Sequence, residues 1–236
     1  MKRLILAGII ASVGLLTASS MAVIDGSAHD LADPNNKIRA ADPNDVNGEI
    51  CVFCHTPHGS NTDFVGAPLW NKQITTTTTY QVYGGGQTTA GTTVGQPGDV
   101  SMACLSCHDG VNAINSIINM PGGGFTNPQL VAFTLDGGVS TIPTGTAATM
   151  PTDSRGYIGT DLRNDHPVGV VYTEGVASLR PTTEPLPWDS NKTIASLLRN
   201  NKVECVSCHD PHKGENDAFL RAPNTNSQLC TTCHAK

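Results

Sequence analysis

Apolar positions are bunched at the start of the chain and thin out sharply afterwards. Residues 4–16 form a nearly continuous apolar stretch behind Lys2 and Arg3, and Ser20-Met21-Ala22 then supplies small residues. That order predicts a secretory signal over 1–22, with the mature chain starting near Val23. The stretch is short for a membrane span, so an uncleaved anchor is the lesser reading. No cysteine follows the small residues, which speaks against a lipid anchor. Further along, the pattern supports only brief elements. Val111, Ile114 and Ile118 share one helical stripe and predict a helix over 111–119. A second is expected over 192–200, with Ser190 or Asn191 as cap and Ile194, Leu197 and Leu198 on one face. Residues 133–135 and 168–173 read as short strands. The Thr-, Gly- and Pro-rich stretches 75–79, 84–86 and 121–151 read as loop, disordered unless neighbouring groups order them.

So sparse a pattern leaves little for a conventional core. Aromatic residues make up 5% of the 236, against 24 Gly and 15 Pro, and a chain of this length needs something else to fill its interior. The net charge of −6 excludes the basic face that nucleic acid requires. In an exported chain, cysteines can pair as disulfides, so the eight present need a reading of their own.

All eight fall into four Cys-x-x-Cys-His units: Cys51-Val-Phe-Cys54-His55, Cys104-Leu-Ser-Cys107-His108, Cys205-Val-Ser-Cys208-His209 and Cys230-Thr-Thr-Cys233-His234. This is the attachment signature of c-type haem. Two thiols at this spacing add across the two porphyrin vinyl groups, and the adjacent histidine swings under the ring to ligate iron. Disulfides or zinc would also use paired cysteines, but neither requires a histidine after every pair. Four covalently bound haems c are therefore expected, with Cys51, Cys54, Cys104, Cys107, Cys205, Cys208, Cys230 and Cys233 as attachment points. His55, His108, His209 and His234 are the proximal ligands. Four histidines remain, His29, His58, His166 and His212, the number that four irons need for a second axial ligand. Methionine is the rival ligand, but Met102 lies too close to Cys104 to reach the far face of that haem.

The order repeats: a lone histidine (His29, His166), then Cys-Val-x-Cys-His-x-Pro-His, then a plain motif. Residues 23–236 are thus expected as one tetrahaem domain of two paired-haem modules, about 23–120 and 160–236, joined by a Gly/Thr/Pro-rich segment. The expected fold is mostly irregular, with few short helices, very little strand and a core of four stacked haems. His58 and His212 follow their motif histidines by three residues, too few to loop round to the far side of the same iron. If the motif continues as a helical turn, each instead reaches a neighbouring haem. Trp70 is expected to pack on a porphyrin. The acidic turn 42–49 has oxygens suited to calcium but lacks the spacing of a calcium loop, and reads as a solvated turn.

Ser27-Ala28-His29-Asp30-Leu31, the stretch from Cys51 to Gly59 with Pro68-Leu69-Trp70-Asn71, Asp165-His166-Pro167-Val168-Gly169, and Cys205 to Lys213 with Phe219-Leu220-Arg221 resemble the extracellular tetrahaem cytochromes that polymerise into filaments, the OmcE type. The resemblance implies bis-histidine haems stacked along a homopolymer with head-to-tail contacts, which propagate without closing. It also implies that one haem takes a histidine from the next subunit. The donor expected is His58, with His29 as rival, and the receiving haem that on Cys230, Cys233 and His234. The function implied is electron transfer to external acceptors from an extracellular or cell-surface position. A soluble periplasmic tetrahaem shuttle is the alternative. An enzyme is not expected, because four free histidines leave no iron position open to substrate.

Overall fold

The computed structural model describes residues 24–74, 78–84, 91–92, 94–121, 129–176 and 178–235. The signal expected over 1–22, and parts of the loops expected at 75–79, 84–86 and 121–151, lie outside the described residues. Three helices occur among those described: α1 (Asp99–His108), α2 (Cys205–Cys208) and α3 (Gln228–Cys233). Nine strands of two to five residues accompany them: β1 (Arg39–Ala40), β2 (Ser116–Ile117), β3 (Gln129–Leu130), β4 (Phe133–Leu135), β5 (Ser140–Ile142), β6 (Val170–Val171), β7 (Pro185–Leu186), β8 (Asp189–Thr193) and β9 (Lys202–Val203). The rest is turn, short 3-10 helix and irregular chain, as the apolar pattern implied. None of the described helices is long and apolar enough to cross a membrane.

The strands pair antiparallel, as β1-β4-β5, β2-β3, β6-β9 and β7-β8. Strand β4 is the expected 133–135, and β6 is the centre of the expected 168–173. Both predicted helices are corrected. Residues 111–119 hold turns and β2, because polar side chains claim the backbone groups a helix would use. Asp109 accepts from the Val111 and Asn112 amides. Asn71 Oδ1 accepts from the Asn119 amide, and Lys72 Nζ donates to the Ile114 and Ser116 carbonyls. Over 192–200 the chain ends β8 and makes one 3-10 turn, Ile194–Leu197. There the amides of Ile194 and Ala195 donate to Glu184 and Thr182 carbonyls across a loop.

Among the described residues the buried apolar side chains gather in four clusters instead of one core. The largest gathers Val46, Phe53, Ile114, Ile117, Phe133 and Met150, with Cys54 and Cys107 packed against it. Phe53 and Phe133 meet edge to face at 5.9 Å. Thus β4, from the expected joining segment, closes the core around the first two motifs. Truncating Phe133, which is fully buried, leaves a cavity that small neighbouring strands cannot fill. Phe133→Ala is expected to cost about 3–5 kcal/mol in denaturant titration of the haem-loaded protein.

Glu204 locks α1 to α2. Its buried carboxylate accepts from Gly98 N at 3.2 Å and from the Ser101 hydroxyl, capping α1, and it forms a capping box with Ser207 at the start of α2. The approach requires glycine at 98, where a Cβ would stand 2.7 Å from the Glu204 Oε1. The Cys205 amide then donates to Ser101 Oγ at 3.0 Å, so the cysteines of α1 and α2 are brought side by side.

Candidate haem-binding site

Each of the first, third and fourth motifs closes one turn, with the histidine amide donating to the first cysteine carbonyl at 2.8–3.0 Å (His55 to Cys51, His209 to Cys205, His234 to Cys230). The second motif is the C-terminal half of α1. After α2 and α3 the chain leaves helical geometry at His209 and His234. The expected helical continuation to His212 is therefore corrected: Asp210 and Pro211 carry the chain away in turns, and no shared helical face places His212.

The first and third motifs are held by the same device. The Cys54 and Cys208 carbonyls accept from the amides of Asn71 (2.8 Å) and Arg221 (2.9 Å), and the Val52 and Val206 carbonyls accept from the side chains of those residues (2.7 and 2.6 Å). The Thr56 and Asp210 amides donate to the carbonyls of Leu69 and Phe219, both at φ +57°. Sequence reasoning missed this hook. Its signal was present in the Pro68–Asn71 and Phe219–Arg221 strings, but nothing local said that they return to the motifs.

Proximal rings are oriented through Nδ1. His55 Nδ1 lies 2.8 Å from Pro68 O, His108 Nδ1 2.6 Å from Gly156 O, and His209 Nδ1 2.7 Å from Ala218 O. A carbonyl only accepts, so the proton sits on Nδ1 and the Nε2 lone pair is free for a metal, the usual arrangement around a ligating histidine. Three proximal rings also face a second imidazole. Centroids are 6.1 Å apart for His29 and His108, 6.0 Å for His55 and His212, and 6.4 Å for His166 and His234. An imidazole nitrogen sits about 2 Å from a bound transition metal and its ring centroid about 1 Å further back, so two rings sharing one metal have centroids about 6 Å apart. The observed gaps match that spacing. His29 is also stacked on Phe219 at 4.1 Å, and burial lowers its pKa to about 4, keeping it neutral and fit to ligate.

His234, expected to look to a neighbouring subunit, faces His166 of its own chain. His29, the rival donor, faces His108. His58 and His209 remain: both are exposed, and among the described residues neither ring faces a second imidazole. Among the described residues Met102, Met120 and Met150 pack in apolar clusters.

None of the eight cysteines is in a disulfide. Among the described residues no group of three or more His, Cys, Asp or Glu converges as a bare metal site would require. Burial pushes the Cys54 thiol up to about 12, with Cys107 close enough to add to the effect. Cys104 and Cys205 share a hydrogen bond that raises the first thiol and lowers the second. Burial raises Cys208 to about 11, with Cys233 and Cys230 nearby. The four attachment points therefore adjoin in sequence order, first to second, second to third, third to fourth. Trp70 meets His55 edge-on at 6.1 Å, and its buried Nε1 has no protein acceptor. A donor left without a partner beside a proximal ring suits a bound group carrying acceptor oxygens, such as haem carboxylates. The donor set, the ring gaps and this orphaned donor all fit haem.

A family model described as a doubled CXXCH motif matches residues 199–236. No curated protein matches the chain. The doubled motif indicates a c-type, multihaem cytochrome-like protein and points to covalent haem c binding and electron transfer. Its few short helices, little strand and irregular chain are consistent with that class.

Proposed function

We propose that this chain carries electrons through four bis-histidine haems c and polymerises head to tail into an extracellular filament that delivers them to external acceptors. Each haem, when bound, supplies an iron that takes up and releases one electron. The protein attaches it through the eight motif cysteines, orients the proximal histidines through Nδ1, and sets the distal histidines opposite. The adjoining attachment points support a continuous haem row. Full ligation leaves no open position for a substrate, which favours a carrier over an enzyme.

One observation carries the filament reading: His58 and His209 are left over together. In this reading His209 belongs to the haem on Cys205 and Cys208, which finds no second imidazole among the described residues, while His58 faces no other motif's ring. If His58 of one subunit completes the His209 haem of the next, the contact is heterologous and repeats without limit. The loop after His58 also exposes Val65 and Leu69, apolar side chains suited to burial against a second copy.

Electron microscopy of the native haem-loaded protein from the extracellular fraction tests this. Filaments are expected, and His58→Ala is expected to abolish them and leave one haem in four high-spin. Filaments of His58→Ala with four six-coordinate haems would rule the assignment out. Dispersed monomers of the unaltered protein at every concentration would point to a soluble shuttle.

A further inference from the structure

Lys72 is 1% exposed. Its Nζ donates to the carbonyls of Ile114 at 2.6 Å and Ser116 at 3.0 Å, and none of the described ion pairs includes it. A buried cation without a counter-charge is costly, and carbonyl dipoles offset only part of the lost hydration. Its location is specific. The adjacent Asn71 is hooked to Cys54 and Val52 of the first motif, while Ile114 packs in the cluster that Cys54 and Cys107 share. The Lys72 charge opposes the effect of burial on the Cys54 thiol.

The second motif sits in the opposite field. Both histidines that face each other there are followed by a buried carboxylate. Asp30, after His29, accepts from the amides of Gly26 and Ala32. Asp109, after His108, accepts from the Tyr80 hydroxyl, the Val111 and Asn112 amides and the Asn112 side chain.

We propose that Lys72 and these two carboxylates stagger the first two haems, holding the reduction potential of the one on Cys51 and Cys54 above that of the one on Cys104 and Cys107. Gaining an electron lowers the charge of a haem by one. A fixed cation nearby favours the reduced state and fixed anions the oxidised state, and burial spares both from screening by salt. An electron in this pair therefore rests on the first haem. The inference rests on the haem reading above but not on the filament.

The test uses the full haem-loaded chain. Haem content is measured first, and four haems per chain are expected; a chain without haem removes the reading and this inference with it. With haem present, potentials are read by redox titration, each haem followed through its own NMR signals. In the unaltered protein the first haem is expected above the second. Lys72→Gln keeps a donor for the carbonyls but drops the charge, and is expected to make reduction of the first haem about tenfold less favourable, 59 mV for one electron. Lys72→Arg should restore it. A purely structural role predicts no such difference between Gln and Arg. Four haems with an unmoved first potential in Lys72→Gln overturn the proposal. If that variant fails to load haem, the unaltered protein decides, and a second haem at or above the first overturns it.

Discussion

Replacing His212 by alanine is expected to turn one haem high-spin, and that haem is the one on Cys51 and Cys54, most of the chain away. The ring of His212 lies 6.0 Å from that of His55 at an interplanar angle of 15°, so its loss opens the far side of that iron alone. About a quarter of the low-spin absorbance should go, and the altered haem should bind carbon monoxide when reduced, since an open axial position is what such ligands need. His166→Ala should do the same to the haem on Cys230 and Cys233, because His166 faces His234. Optical and EPR spectra of the purified variants, with NMR to identify the haem affected, check both. If His212→Ala altered the haem on Cys205 and Cys208, to which it is nearest in sequence, the pairing would be wrong.

The second large effect concerns the chain without haem. Its largest fully buried apolar side chains are Phe53, Phe133, Leu105, Ile114, Ile117, Ile194 and Val46. They are few among the described residues; Phe53, Phe133, Ile114, Ile117 and Val46 share one cluster, and Ile194 and Leu105 lie in two others. Chains of this size ordinarily bury a continuous core worth far more. With all eight motif cysteines changed to serine, the protein is expected to show no cooperative thermal transition and mostly unordered far-ultraviolet circular dichroism. That amounts to loss of the whole folding free energy, about 5–15 kcal/mol for ordinary domains. The haem-loaded protein should melt cooperatively. A sharp transition in the serine variant would show that the small clusters suffice by themselves.

What the sequence displayed and what it hid follow from how local each cause is. The four motifs were legible because covalent attachment imposes a spacing within five residues. The scarcity of regular structure was legible because apolar residues are too few to make long stripes. Helix α1 was not, because its buried side chains include Ser101, Ala103 and Ser106, which form no apolar pattern; it is fixed instead by Glu204, over a hundred residues on. The helices expected at 111–119 and 192–200 failed for the converse reason. Their stripes were real, but Asn71, Lys72 and the Glu184 carbonyl took their backbone groups from outside the segment. Distal pairing was hidden altogether, since a lone histidine gives no hint of which motif it faces. Only the match of four free histidines to four irons could be counted beforehand.

The facing of His55 and His212 also has a consequence in time. Synthesis proceeds from the N-terminus, so the first motif emerges early and its second imidazole near the end. A haem joined promptly to Cys51 and Cys54 spends that interval with one axial position unfilled, open to any small ligand in its surroundings. On the ligation proposed above, arrival of the segment that carries His212 would close the position and join two distant parts of the chain through a single iron. A truncated chain would keep its first haem reactive, and only a finished one turns it into a closed relay.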